Sequence, residues 1–120
     1  MSGRMKLTHY SDIKPVRIAL DQEHWIDGRV AIGKDDGAPH FCMRVFEVSP
    51  GGSSPRHRHE WEHEIFFHAG EGEALLEGEW RPLKAGSVVF VPGGEEHQLR
   101  NTGAGALVFV CLIPVGVPEL

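Results

Sequence analysis

The chain has 120 residues and a formal net charge of −5, with 41% hydrophobic and 24% charged residues. This length suits one domain, residues 1–120, and the negative charge argues against a general affinity for nucleic acid or anionic membranes. No apolar run approaches the roughly 20 residues that span a bilayer, and residues 1–7 lack the apolar core of a secretory signal. Two cysteines, Cys42 and Cys111, are too few for a disulfide framework, so we expect a cytoplasmic protein.

Glycine, proline and asparagine divide the chain into short runs, with turn signals at 27–28, 36–37, 50–52, 70, 77–78, 85–86, 92–94 and 101–103. Between them lie runs of strand length that are rich in Val, Phe, Ile and Leu: 41–48, 65–69, 74–76, 87–91 and 107–113. Closely spaced turns without an apolar helical stripe predict an all-β sandwich or barrel. Residues 21–25 could form one short helical turn.

Histidine is the unusual residue type, because five of the eight histidines lie between positions 57 and 97. His57 and His59 alternate with arginines, and side chains at i and i+2 of a strand share a face about 6.5–7 Å apart. Two imidazoles at that spacing can converge on one metal ion. The alternative for this segment, a basic loop that contacts phosphate, is disfavoured by the acidic residues that follow it. A zinc finger is also disfavoured, since no cysteine pair lies nearby.

Strand parity extends the cluster to two more histidines. In the run from 63 to 69 the more apolar face contains His63, Ile65, Phe67 and Ala69, whereas His68 shares the other face with Glu64 and Phe66. His97 begins a later strand, in which the same parity turns Leu99 inward. We therefore predict four converging ligands and an outward-facing His68. We interpret the three remaining histidines as non-ligands: His9, His24 and His40.

At this point the sequence resembles the cupin superfamily, whose first motif reads G-x5-H-x-H-x3-4-E-x6-G. Gly51, His57, His59 and Gly70 match it, and His63 occupies the glutamate position. Glu64 is the alternative under the longer permitted spacing, but the closing glycine then falls on Glu71. The second motif, G-x5-P-x-G-x2-H-x3-N, is matched throughout, by Gly86, Pro92, Gly94, His97 and Asn101.

The resemblance implies a cupin barrel, that is, a double-stranded β-helix or jelly roll. Its motif core would be residues 51–101, with N-terminal strands within 5–48. It also implies a homodimer built by sheet packing, and one divalent transition metal on four histidines: His57, His59, His63 and His97. Imidazole suits Fe, Ni, Cu and Zn, and Mn is admissible in an octahedral site. Four neutral ligands leave the ion's full charge uncompensated, which favours carboxylate or enolate ligands at its open positions.

Pocket residues follow from the same parity. Ile65, Phe67 and Leu99 are expected to line an apolar cavity around the ion. Cys111 lies in a run that is apolar on both faces, so it is either a buried structural thiol, which we favour, or a cavity residue. Arg44 interrupts an apolar strand, and we favour a structural ion pair over an anchor for an anionic ligand.

Three functions are compatible with these residues. The first is a metal-dependent oxidase, dioxygenase or related oxidoreductase acting on a small organic molecule, which the resemblance to small single-domain cupins implies. The second is a module that binds or senses a small anion without transforming it. The third and weakest is a sugar isomerase or epimerase of the cupin type, which would leave the four histidines unexplained. Fold alone does not separate them.

Overall fold

The computed structural model describes residues 4–120; Met1–Gly3, part of the segment searched for a secretory signal, lie outside the described residues. Nine strands and two 3₁₀ turns, Tyr10–Asp12 and Lys34–Asp36, make up the described secondary structure. The strands are β1 Val16–Ala19, β2 Trp25–Ile32, β3 Phe41–Val48, β4 His63–Ala69, β5 Glu71–Leu76, β6 Glu79–Lys84, β7 Val88–Val91, β8 His97–Asn101 and β9 Leu107–Pro114. The all-β prediction is confirmed. Within residues 4–120 no helix is long and apolar enough to cross a membrane.

The strands form two antiparallel sheets in a jelly-roll arrangement. The larger sheet has the order β1-β2-β3-β9-β4-β7, and the smaller has the order β6-β5-β8. Alternate residues of β4 and β8 are buried, which confirms their predicted parity: His63, Ile65 and Phe67 on β4, and His97, Leu99 and Asn101 on β8. The core therefore lies between the sheets, where apolar side chains from both are removed from water.

The apolar runs of the sequence did not mark three strands, β1, β2 and β6, because charged residues interrupt their apolar pattern. β1 and β2 do lie within residues 5–48, where the cupin resemblance implied N-terminal strands. Arg17 of β1 and Asp27 of β2 are register partners and form a two-point ion pair, with Nε–Oδ1 and Nη2–Oδ2 distances of 2.8 and 2.9 Å. The turn predicted at Asp27-Gly28 is wrong, since both residues lie inside β2. Glycine is needed there for space: a Cβ atom on Gly28 would lie 2.9 Å from Cε1 of Phe46.

The short helical turn considered at residues 21–25 is also absent. This segment bends between β1 and β2, and the Asp21 carboxylate accepts hydrogen bonds from the backbone N–H groups of Glu23 and His24 at 2.7 and 2.8 Å. Such a side-chain cap offers the backbone an alternative to a helical turn. β2 then begins directly at Trp25.

Two positions of the cupin motifs, Gly70 and Asn101, shape turns of the fold. Gly70 has a φ of 94°, and a Cβ atom there would lie 2.5 Å from the carbonyl oxygen of Ala106. Asn101 donates from Nδ2 to the carbonyl oxygens of Val48 and Gly105 at 2.9 and 2.8 Å, and its Oδ1 accepts from the N–H of Gly103. These contacts tie the turn after β8 to the end of β3.

Candidate metal centre

The four histidines of the cluster come from both sheets and from one loop. His63 is the first residue of β4 in the larger sheet, and His97 is the first residue of β8 in the smaller sheet. His57 and His59 lie in the connection between β3 and β4, which is not a regular strand as the alternation of residues 56–59 suggested. Of these two histidines, His57 pairs with β8 through an isolated antiparallel bridge to His97.

The imidazoles converge closely enough to share one ion. One ligand atom from each of the four residues lies within 4.8 Å of the others. Nε2 of His59 and Nε2 of His63 are 3.0 Å apart. Two nitrogens bound at about 2.1 Å to one ion, at right angles to each other, are separated by about the same distance. The cluster therefore has the donor set and the spacing of a metal site.

The electrostatics favour the uncharged imidazoles that a metal requires. Burial lowers the pKa of His57 and His59, and the neighbouring imidazoles add to the effect. Burial lowers the pKa of His63 to about 3, with further contributions from His59 and the Arg44 guanidinium. These three rings are neutral at neutral pH, so each has one nitrogen with a free lone pair for a metal ion.

The contacts behind the cluster set the orientation of the rings. Nδ1 of His97 donates to the carbonyl oxygen of Glu95 at 3.0 Å, so Nε2 is the nitrogen available to a metal ion. The ring of His59 stacks on Trp61 with a centroid distance of 4.3 Å and an interplanar angle of 5°. Nδ1 of His59 is buried and has no hydrogen-bond partner among the described residues.

The polar residues that neighbour the histidines in sequence do not contact the histidine rings. Gln98 donates to the carbonyl oxygen of Ser54, and Glu60 and Glu62 are exposed. Instead, Nδ1 of His63 lies 3.1 Å from Sγ of Cys111. This contact joins residues 48 positions apart, so local sequence carried no signal for it.

The other histidines lie outside the cluster. His68 is exposed on β4, where its ring approaches Tyr10 edge-on at 6.0 Å. His24 bonds to Asp21, and His9 bonds to the nearby Ser11. His40 contributes its backbone carbonyl to a hydrogen bond with Val115.

The cluster forms one wall of a cavity of about 260 Å³. Ile65, Leu99 and Cys111 line it, together with residues that strand parity did not identify: Ile18, Ile26, Arg44, Phe46, Ser54, Pro55, Trp61, Phe109, Pro118 and Leu120. The expectation for Phe67 needs correction. It is fully buried and packs on Phe109 with a centroid distance of 5.4 Å, but it does not line the cavity. Parity gives the side of a strand on which a residue lies, not its depth along the barrel.

The expectation for Arg44 also needs correction. Among residues 4–120 its guanidinium forms no ion pair with a carboxylate. It donates from Nη2 to Sγ of Cys111 at 3.0 Å and from Nη1 to the carbonyl oxygen of Glu119 at 3.3 Å. Its Nε is buried without a partner in the described chain. A positive charge therefore lies beside the four-histidine cluster.

Comparison with known proteins agrees with the fold and the motif positions. The sequence profile of the cupin domain family matches residues 44–113, which include all four histidines. The chain belongs to the cupin family. It is 40% identical over 115 residues to the oxalate-binding protein of Thermotoga maritima, covering 92% of this chain and 95% of that protein. It is also 34% identical to the 1-methylthio-D-xylulose 5-phosphate methylsulfurylase of Rhodospirillum rubrum, covering 86% of this chain and 76% of that protein.

A solved cupin structure supports the same assignment. The polyketide cyclase RemF from Streptomyces resistomycificus superposes with a TM-score of 0.84 at 34% identity, covering 96% of this chain and 82% of that one. These named relatives differ in what they bind or transform. The cupin scaffold is therefore established for this chain, and its specific chemistry must be argued from the cavity.

Proposed function

We propose that this cupin holds one divalent transition metal ion on His57, His59, His63 and His97 and acts on a small organic anion of the carboxylate or enolate type. The observation that carries the proposal is the convergence of four imidazoles, from both sheets and one loop, on one wall of a largely apolar cavity. Mn, Fe, Ni, Cu and Zn all accept imidazole ligands, and the identity of the ion is left to measurement.

The residues around the cluster suit an anionic ligand with an apolar body. A bound divalent ion would supply Lewis acidity toward a carboxylate or enolate oxygen. Arg44 adds a permanent positive charge at the same cavity. Phe46, Trp61 and Phe109 offer aromatic surface to the rest of the ligand and exclude water from the reacting end. Oxalate has no carbon outside its two carboxylates, so these walls favour a larger molecule.

The reaction class we propose is that of a metal-dependent oxidase or dioxygenase. Four protein ligands would leave a bound six-coordinate ion with two positions for other ligands, such as an organic anion and a second small molecule. Oxygen consumption by the metal-loaded protein in the presence of carboxylates, diketones and phenolics tests this class. Unchanged ligand and no oxygen uptake across that panel would contradict it.

A non-catalytic anion-binding cupin is the second candidate. Of the described residues that line the cavity, none is Asp or Glu, so no carboxylate side chain lines it to act as a general base. The relative named oxalate-binding protein also favours binding without turnover. Tight binding in calorimetry, followed by recovery of the intact ligand, would select this candidate over the enzyme.

Metal binding itself is tested by elemental analysis of protein purified without an affinity tag or chelator. We expect about one equivalent of a first-row transition metal in the wild type and a large loss in His63→Ala. His68→Ala, which removes an exposed histidine from the same strand, is the matched control and should retain the metal. Trace metal in the wild type, or equal metal in His63→Ala, would contradict the proposal.

We also propose a homodimer, formed through the outer face of the larger sheet. Phe66, Val88 and Phe90 are 48%, 74% and 60% exposed there, next to Met43 and Leu112. β7 is an edge strand of that sheet, and a second copy would cover both the edge and the apolar surface. Light scattering should give twice the chain mass at micromolar concentration and the monomer mass for Phe90→Glu. A wild-type monomer would refute this part of the proposal.

A further inference from the structure

Three buried side chains with polar atoms form a row that begins in the histidine cluster and runs away from it: His63, Cys111 and Arg44. They are only 6%, 3% and 8% exposed. Their strands are neighbours in the larger sheet, and Cys111 of β9 is the register partner of Arg44 on β3. Sγ of Cys111 lies 3.1 Å from Nδ1 of His63 and 3.0 Å from Nη2 of Arg44. The sulfur is therefore the central atom of the row.

The position of the N–H proton on the His63 ring determines the role of the Cys111 sulfur. A neutral imidazole has one N–H, and Nε2 of His63 is the nitrogen that faces His59, at 3.0 Å. Binding a cation through Nε2 therefore requires the proton on Nδ1. Arg44 lies 3.4 Å from that nitrogen but has no acceptor, so it cannot receive the proton. Sγ of Cys111 can accept it.

We propose that Cys111 is the positioning residue of His63: its sulfur accepts the Nδ1–H, and so presents Nε2 to the other three histidines. Arg44 in turn holds the sulfur by donating to it. The inference rests on the proposed function, because it presupposes a metal bound by His63. It also supplies a reason for the pairing of these residues: the motif glutamate is replaced by His63, whose second nitrogen needs an acceptor that a carboxylate ligand would not need.

The other buried cysteine shows that burial alone does not produce this arrangement. Cys42 is fully buried on β3, and its thiol contacts no residue of the cluster among the described side-chain hydrogen bonds. Burial, with the nearby Glu119, raises the pKa of Cys42 to about 11. An apolar residue at position 111 would fill similar space but leave the Nδ1–H of His63 buried without an acceptor. Cys42 therefore provides the matched control.

The test measures Zn²⁺ and Co²⁺ affinity by competition with a chromophoric chelator. We expect Cys111→Val to lower the affinity by about 10–100-fold, the usual effect of removing the partner of a ligating histidine. Cys111→Ser retains an acceptor and should recover most of the affinity, whereas Cys42→Val should leave it unchanged. The visible absorption of the Co²⁺ form should also change in Cys111→Val and return toward the wild-type spectrum in Cys111→Ser.

A second measurement needs no substitution. In Zn²⁺-loaded wild-type protein, long-range ¹H–¹⁵N spectra of the histidine rings should show His63 protonated on Nδ1, with slow exchange of that proton. Protonation of His63 on Nε2, or wild-type affinity and spectrum in folded Cys111→Val, would overturn the inference while leaving the metal site intact. Failure of the wild type to bind either ion would overturn the proposed function as well, so the two failures are distinguishable.

Discussion

His57 and His97 are joined through their backbones, each donating its N–H to the carbonyl oxygen of the other at 3.2 and 3.0 Å. This isolated bridge connects the loop after β3 to the first residue of β8 and sets their rings 4.7 Å apart, edge to face. Two histidines from two separate motifs are thus positioned by main-chain hydrogen bonds. Their spacing does not depend on the side chains themselves.

Replacing one of these two rings should therefore remove one metal ligand and leave the other histidine in position. For His57→Ala we expect loss of most of the bound metal. The free energy of unfolding of the metal-free variant should lie within about 1 kcal/mol of that of the metal-free wild type, because the His57 ring is only half-buried. Elemental analysis and urea unfolding after chelation measure the two effects. A metal-free His57→Ala that is unfolded would contradict this reading of the bridge.

Restoring the motif glutamate should change the charge of the site rather than abolish it. His63→Glu supplies a carboxylate that lowers the net charge of the metal centre by one. We expect the metal to be retained and the affinity for benzoate or oxalate, measured by calorimetry, to fall by about tenfold. His63→Gln, which adds no charge, is the control. Equal or tighter anion binding by His63→Glu would show that the four-histidine charge does not select the ligand.

The metal-free protein should lose stability as the pH falls below about 6.5. The pKa of His63 is about 3 in the folded state, so between that value and 6.5 the unfolded chain binds a proton that the folded chain does not. One such group costs about 2 kcal/mol between pH 6.5 and pH 5. Urea unfolding of chelator-treated protein at several pH values measures the slope. The slope should be shallower in His63→Gln, and an unchanged slope in that variant would contradict the assignment.

A side chain at position 28 should destabilise the protein, whereas one at a glycine in open space should not. A Cβ atom there would lie 2.9 Å from Cε1 of Phe46 and 3.0 Å from Cδ2 of Leu120, and both residues line the cavity. We expect Gly28→Ala to destabilise the protein by about 1–3 kcal/mol and to weaken ligand binding. Gly105→Ala is the control, because a Cβ atom there meets nothing within 4 Å. Thermal unfolding and calorimetry compare the two variants. Equal stability would show that the Phe46 side chain moves aside at no measurable cost.

The sequence by itself determined the fold class, the inward parity of β4 and β8, and the four histidines of the cluster. The fold class and the parity follow from strand periodicity and closely spaced turn residues, which report on the backbone directly. The histidines follow from the spacing of the two cupin motifs. The hydrophobic pattern did not mark β1, β2 and β6, because charged residues interrupt it. In β1 and β2 the Arg17–Asp27 ion pair joins two such polar strands across the sheet.

Only the tertiary structure decided what surrounds the histidines. Cys111 and Arg44 are 67 residues apart, yet they become register partners on adjacent strands and reach His63 from behind. Phe67, inward by parity, lies too deep to line the cavity, whereas Trp61 and Leu120 reach it from loops. Depth along the barrel and contacts across its sheets depend on how strands pair over long sequence separations. Local periodicity does not encode those pairings. The sequence therefore located the histidines but not the residues that contact their rings.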